Sequence, residues 1–345
     1  MRIFMILFIN AFLLTSAFAQ INKPDQIDPK PFVLGVIDEI HSTQLGEKRI
    51  LNIYLPDGYK QEDTTKYPVI YLLDGSADED FIHIVGLVQF NNFSWINRVP
   101  KSIVVGIATV DRRRDFTYPT TIEKDKKRFP TTGHSDKFIA YIEKELQPFI
   151  EKKYKANTSR TIVGQSLGGL LAIEILFKKP MLFNKYIIIS PSLWWDDASL
   201  LKQSTENLKA SLQNTAIYIG VGKEGLAPTD VPHVMEVEAN LLTEKIKNTK
   251  SKNVSVYYDY LPQEDHATIM HRQFLMRSEY CILPLQKIIK HLNMLMRKIG
   301  SVIYYPSIPI FCVSSLNLGS DFKSFNIGYL MQKIMPRQAI PIRCS

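Results

Sequence analysis

A chain of 345 residues, 45% hydrophobic and 22% charged, has the make-up of an ordinary globular protein and the length for one large α/β domain. Its formal net charge of +8 does not mark a nucleic-acid binder. From Arg272 onward ten Lys and Arg stand against two acids, Glu279 and Asp321; ten minus two is the whole surplus, and residues 1–271 are formally neutral. Cys281, Cys312 and Cys344 fall in that same stretch, so the rest of the chain has neither a disulfide framework nor a cysteine-based metal site.

In chain order, residues 1–19 place Arg2 ahead of an apolar run that ends in Ala17-Phe18-Ala19, the pattern of a secretory signal peptide with its cleavage site. Asn10 interrupts the run, which is short against the roughly 20 residues a membrane span needs. The expectation is a secreted or periplasmic protein with no stable membrane insertion once the leader is removed. Phe32 to Ser42 and Lys48 to Leu55 then read as an antiparallel strand pair turning at Gln44-Leu45-Gly46-Glu47. PVIYLLD, ending at Asp74, is a continuous apolar run, as a strand buried on both faces requires. The same signature recurs at Ser102–Ala108, Arg160–Gly164, Lys185–Ser190, Ala216–Gly222 and Asn253–Leu261. Between these runs lie helical patterns: one from Ser135 with that serine as N-cap, one over Ser166 to Lys178, and one over Val234 to Lys247. A further helix is expected from Ala267. This alternation predicts an α/β fold with a doubly wound, mostly parallel sheet and an antiparallel strand pair at its N-terminal end. The domain runs over residues 20–290. Residues 291–345 form an atypical tail without clean helical or strand periodicity, read either as an extension packed on the domain or as a segment outside its constraints, such as a shifted reading frame; it is assigned no function.

Gly164-Gln165-Ser166-Leu167-Gly168 joins the strand at 160–164 to an apolar helix. A glycine two before and two after a lone serine is what a sharp strand-to-helix turn needs when it must lift a hydroxyl above the carboxyl edge of a sheet. The same turn aims the Leu167 amide at that point, as half of an oxyanion hole. A serine hydroxyl is a poor nucleophile without a base. The chain order serine, acid, histidine puts the base in the loop after the last strand, where His266 stands; His271, one turn further on, is the competitor. The acid belongs after Ala216–Gly222, where Glu224 is the first candidate and Asp230 the alternative, with Asp259 and Asp265 less well placed. The second oxyanion amide belongs to the loop after the first central strand, where Gly75 permits close approach and Ser76 supplies the N–H.

YLLDG, VDRRRDFTYPT, VGQSLGGL, SPSLWWDD and EDHATIMH, in this order from about Ile37 to His271, resemble the esterase branch of the α/β-hydrolase superfamily that includes the enterobactin and bacillibactin (siderophore) esterases. The resemblance implies serine hydrolase chemistry on carboxylic esters, lactones or thioesters, with Ser166 as nucleophile, His266 as base, and the amides of Ser76 and Leu167 as oxyanion donors. It carries the acid over less surely, because members of that branch lean on a serine–histidine pair. Arg112 and Arg113 could hold an anionic substrate such as a catecholate, or be salt-bridged in a solvated loop. Trp194 and Trp195 could wall a ring or sugar, or pack on the end of the sheet. The resulting expectation is a serine esterase acting on a small-molecule ester, with a siderophore lactone first. A carbohydrate-ester deacylase for acetyl or feruloyl groups, and a non-catalytic binding module on the same fold, are the alternatives. No cofactor, metal or nucleic-acid partner is expected.

Overall fold

The computed structural model describes residues 29–271. The leader pattern expected over 1–19, the three cysteines, the tail over 291–345 and most of the stretch expected to be helical from Ala267 lie outside the described residues; within them, Ile269 to His271 are helical. Among the described residues eight strands, numbered in chain order with the ranges given next, form one sheet in the order β1-β2-β4-β3-β5-β6-β7-β8. Strands β1 (Val36–Ser42) and β2 (Glu47–Tyr54) are antiparallel, with Val36 opposite Ile53 and Ser42 opposite Glu47. Strand β2 also runs antiparallel to β4 (Ile103–Ile107). From β4 through β3 (Tyr67–Leu72), β5 (Ala156–Gln165), β6 (Lys185–Ile189), β7 (Thr215–Gly222) and β8 (Val254–Leu261) every pairing is parallel. The expected doubly wound sheet with an antiparallel N-terminal pair is therefore the observed one. The first strand is shorter than expected, because Phe32 and Val33 are exposed and unpaired.

The apolar runs are continuous because each central strand feeds two cores. Val69, Tyr71 and Leu73 face one core with Ile162, Ile188 and Ile217, while Ile70 and Leu72 face the other with Val104, Val163 and Ile187. The first core is closed by helices Leu167–Lys178 and Met235–Lys247 and by the helical stretch from Ser135 to Lys153. That stretch is α-helical over Ser135–Tyr141, π-helical over Ile142–Leu146 and α-helical again over Gln147–Lys153. Ser135 is its first residue and not its cap: the cap position is His134, and the Ser135 hydroxyl is buried. The second core is closed by helix Phe81–Asn92 and by Ile269 and Met270. The sequence pattern missed this helix, because Ile82 and Phe90 on its outer face are as apolar as its buried Ile84, Val85 and Val88.

Candidate active site

Strand β5 ends at Gln165 and helix Leu167–Lys178 begins two residues later, so the whole reversal falls on Ser166. Ser166 has φ 59° and ψ −119°, a backbone that costs a non-glycine residue about 1–3 kcal/mol. Strand β6, the segment after it and the following helix hold it there. Its N–H donates to the Ile189 carbonyl at 3.0 Å, and its carbonyl accepts the N–H groups of Leu170 and Ser192, each at 3.0 Å. A side chain on Gly164 would strike the Gly168 carbonyl, which is why strand and helix can pack this closely only with glycine at that position. Leu167 is the first helical residue, so its amide is one of the first-turn donors without an acceptor inside the helix.

Two loops meet beside this turn. Lys223, just past β7, donates its N–H to the Glu264 carbonyl at 2.8 Å and joins the loop after β7 to the one after β8. In that seam the Glu224 carboxylate, 3% exposed, lies with Oε2 at 2.6 Å from His266 Nδ1. Its other oxygen accepts a hydrogen bond from Ser190 Oγ. The Glu224 N–H donates to Glu236 Oε1 at 2.8 Å, and the side-chain amide of Gln165 donates to the His266 carbonyl. Asp230, the alternative acid, is exposed and paired with Lys124. His271, the alternative base, is bonded to His83 Nε2 at 2.7 Å. Ser166 Oγ is 3.1 Å from Ser192 Oγ, and no hydrogen bond joins it to His266 among the described residues. Both Ser166 and His266 open on one cavity of about 310 Å³.

The cavity wall is acidic. Asp74, Glu79 and Asp80 line it together with Arg112. Burial pushes the Asp74 carboxyl above its ordinary range, although the Arg112 guanidinium pulls the other way. Burial, with the charges of Asp74 and Glu79, raises Asp80 as well. Arg112 lines the cavity and is already ion-paired there, as the salt-bridged alternative has it. Its Nε and Nη2 grip the two Asp74 oxygens at 2.7 and 2.9 Å, and Nη2 also donates to the Gln165 carbonyl at 3.0 Å. The Ser76 amide points at Glu79 Oε2, 3.3 Å away. Arg113 is exposed and lies over the Phe129 ring at 4.5 Å, outside the cavity wall. Trp195 is a correction: it is 2% exposed and donates its indole N–H to the Tyr118 carbonyl, so it is core and not an aromatic wall. Trp194 is half-buried, packed edge-on against Trp195 and likewise off the wall. Ser190, Ser192, Gln165 and Asp74 were not foreseen as site residues; only the strand order, which sets the end of β6 between those of β5 and β7, brings the two serines in. Among the described residues no cluster of three His, Cys, Asp or Glu is arranged to hold a metal ion, and no helix is long and apolar enough to cross a membrane.

The family model described as Putative esterase matches residues 42–268. Ferri-bacillibactin esterase BesA of Bacillus subtilis (strain 168) is 32% identical over 180 residues, 49% of this chain and 62% of that protein. The chain thus spans less than two thirds of this curated relative. An IroE-like serine hydrolase from Shewanella oneidensis superposes with a TM-score of 0.65 at 28% identity, covering 77% of this chain and 88% of its own. The BES protein from Bacillus cereus does so at 0.63 and 27%, covering 75% and 98%. A family match that takes in every strand from the end of β1 to β8, with Ser166 and His266 inside it, leads to one conclusion: the chain belongs to the Putative esterase family of α/β hydrolases.

Proposed function

We propose that this protein is a serine esterase that cleaves carboxylic esters through an acyl-enzyme on Ser166. The observation that carries the reading is the 2.6 Å bond between Glu224 and His266 on the cavity into which the left-handed Ser166 opens. With Nδ1–H kept on the ring and hydrogen-bonded to the Glu224 carboxylate, the imidazole has Nε2 free to take the proton of Ser166 as its oxygen attacks the ester carbonyl. The oxyanion is received by the Leu167 amide and by the Ser76 amide, which exchanges its long contact with Glu79 for the substrate oxygen. His266 returns the proton to the leaving alkoxide. Water, deprotonated by the same nitrogen, then releases the acid and restores Ser166.

Siderophore esters are the proposed substrate class. BesA is named a ferri-bacillibactin esterase, and an Aspergillus fumigatus relative, 27% identical over 172 residues, is named a siderophore triacetylfusarinine C esterase. The three acids of the wall suit the neutral ester of such a ligand. The leader pattern over 1–19 supports action outside the cytoplasm. Para-nitrophenyl butyrate turnover tests the chemistry. Ser166→Ala and His266→Ala should lose roughly a thousandfold or more in kcat, Glu224→Gln roughly 10²–10⁴-fold, and a fluorophosphonate should label Ser166 in the wild type. An unlabelled, inactive wild type would sink the proposal. Comparing ferri-bacillibactin with acetylated and feruloylated sugars then assigns the substrate class.

A further inference from the structure

The acid and the nucleophile meet on one tripeptide, Ser190-Pro191-Ser192, at the end of β6. Ser190 Oγ donates to Glu224 Oε1, the carboxylate oxygen that His266 leaves unused. Two residues on, Ser192 Oγ contacts Ser166 Oγ at 3.1 Å, and the Ser192 N–H donates to the Ser166 carbonyl at 3.0 Å. Both serines are buried, at 0% and 2% exposure. Pro191 sits between them with a ring-fixed φ and lies 3.1 Å from where a side chain on Gly169 would begin, so the tripeptide is wedged against the helix that starts at Leu167. Ser190 is the strained member. Its φ is 43°, its N–H is tied to the Gly220 carbonyl of β7 at 2.7 Å, and it precedes a proline, which ordinarily favours an extended residue. Packing alone gives no reason for a serine in that conformation, where glycine would carry no strain. The hydroxyl, aimed at a nearly buried carboxylate, gives one.

We infer that Ser190 is a positioning residue of the reaction. It holds Glu224 by one oxygen so that the other stays on His266 Nδ1, and it ties the acid to the segment that also holds the nucleophile. The inference rests on the reading of Ser166, His266 and Glu224 given above. Its test uses Ser190→Ala and Ser190→Gly, each made in the wild type and in Glu224→Gln, with steady-state kinetics, fluorophosphonate labelling rates and melting temperatures. In the wild-type background both variants should lower kcat and the labelling rate roughly 10- to 100-fold, with KM within about twofold. Ser190→Gly should do so while melting at or above the wild type, because glycine relieves the left-handed backbone. In the Glu224→Gln background the loss should vanish, since Ser190 acts through that carboxylate. A kcat within twofold of wild type, or the same fold-loss in both backgrounds, would overturn the inference while Ser166→Ala remains inactive. A Ser166→Ala variant that turns over like the wild type would instead bring down the underlying reading.

Discussion

Arg112 joins two parts of the site through one guanidinium, holding Asp74 on the loop after β3 and the Gln165 carbonyl just before the nucleophile. Removing it would leave the buried Asp74 charge without its partner, the costly way to break such a pair. The Arg112 side chain is 32% exposed, so water absorbs part of the loss, and Arg112→Ala should cost about 2 kcal/mol at neutral pH. The pH dependence follows from Asp74, whose folded-state pKa is already raised by burial. A raised pKa means that the folded state holds the proton more tightly, so this contribution to stability is present at low pH and is lost as pH rises through the folded value. Without Arg112 the rise is larger. Urea midpoints at pH 8 and pH 5 should therefore show a wide gap between variant and wild type at pH 8 and a narrower one at pH 5. A gap that does not change with pH would mean that Asp74 carries no buried charge. Arginine at 112 was legible as a site residue, but its use was not: composition and spacing cannot tell a guanidinium that meets a ligand from one already spent on a neighbouring carboxylate.

At the scale of elements, the turn from β5 into Leu167–Lys178 and the helix Phe81–Asn92 make opposite predictions for the same change. At Gly164 an added methyl strikes backbone, the Gly168 carbonyl and the Gly169 nitrogen, which cannot swing aside as a side chain does. Gly164→Ala should lose about 3 kcal/mol, or roughly 6–12 °C of melting temperature, and most esterase activity with it. Gly86 sits exposed inside a helix with nothing within 4 Å of its missing Cβ, so Gly86→Ala should gain about 0.5–1 kcal/mol and leave activity unchanged. Thermal melts of the two variants check both signs. The strands and the serine turn were readable because their reasons are local: a run buried on both faces, and glycines bracketing one hydroxyl. Less was readable where the reason is a partner far away in sequence. Trp195 is core because Tyr118 offers it a carbonyl, and Asp196, Asp197 and Ala198 take successive left-handed backbones that no propensity favours. Glu224 could be preferred over Asp230 but not settled, because both lie in one loop and only the fold determines which of them reaches His266.

Across the whole molecule, the loops at the carboxyl edge of the sheet are fastened by carboxylates and the body by apolar packing. Asp196 fastens the segment after β6 to the Thr120–Thr121 loop, accepting the Thr121 N–H at 2.6 Å and the Thr120 hydroxyl at 3.0 Å. Burial works to raise its pKa, but these donors together with Ser199 outweigh it and hold Asp196 below its ordinary range. Glu236, which holds the backbone after β7, is lowered for the same reason: amide N–H groups outweigh its burial. A lowered carboxylate contributes stability that is present above the ordinary value near 4 and is lost as pH falls through the folded one. Acidification from pH 6 toward pH 3 should therefore free these loops before the sheet melts. Proteolysis should then cut near residues 119–123 and 226–233 while amides of β5 and β6 stay protected from hydrogen exchange. Asp196→Asn should show the first cut already at pH 6; cleavage spread evenly over the chain at low pH would contradict this picture.

The strand order also sets a schedule for synthesis. Ser166 leaves the ribosome 100 residues before His266, and β8, the strand that delivers the histidine, is the last strand of the sheet in chain order. At about 5–20 residues per second the nascent chain carries its serine for roughly 5–20 s before the base has been made. Through that interval the nucleophile is chemically silent, and esters in the surrounding fluid have nothing to acylate until the final strand docks.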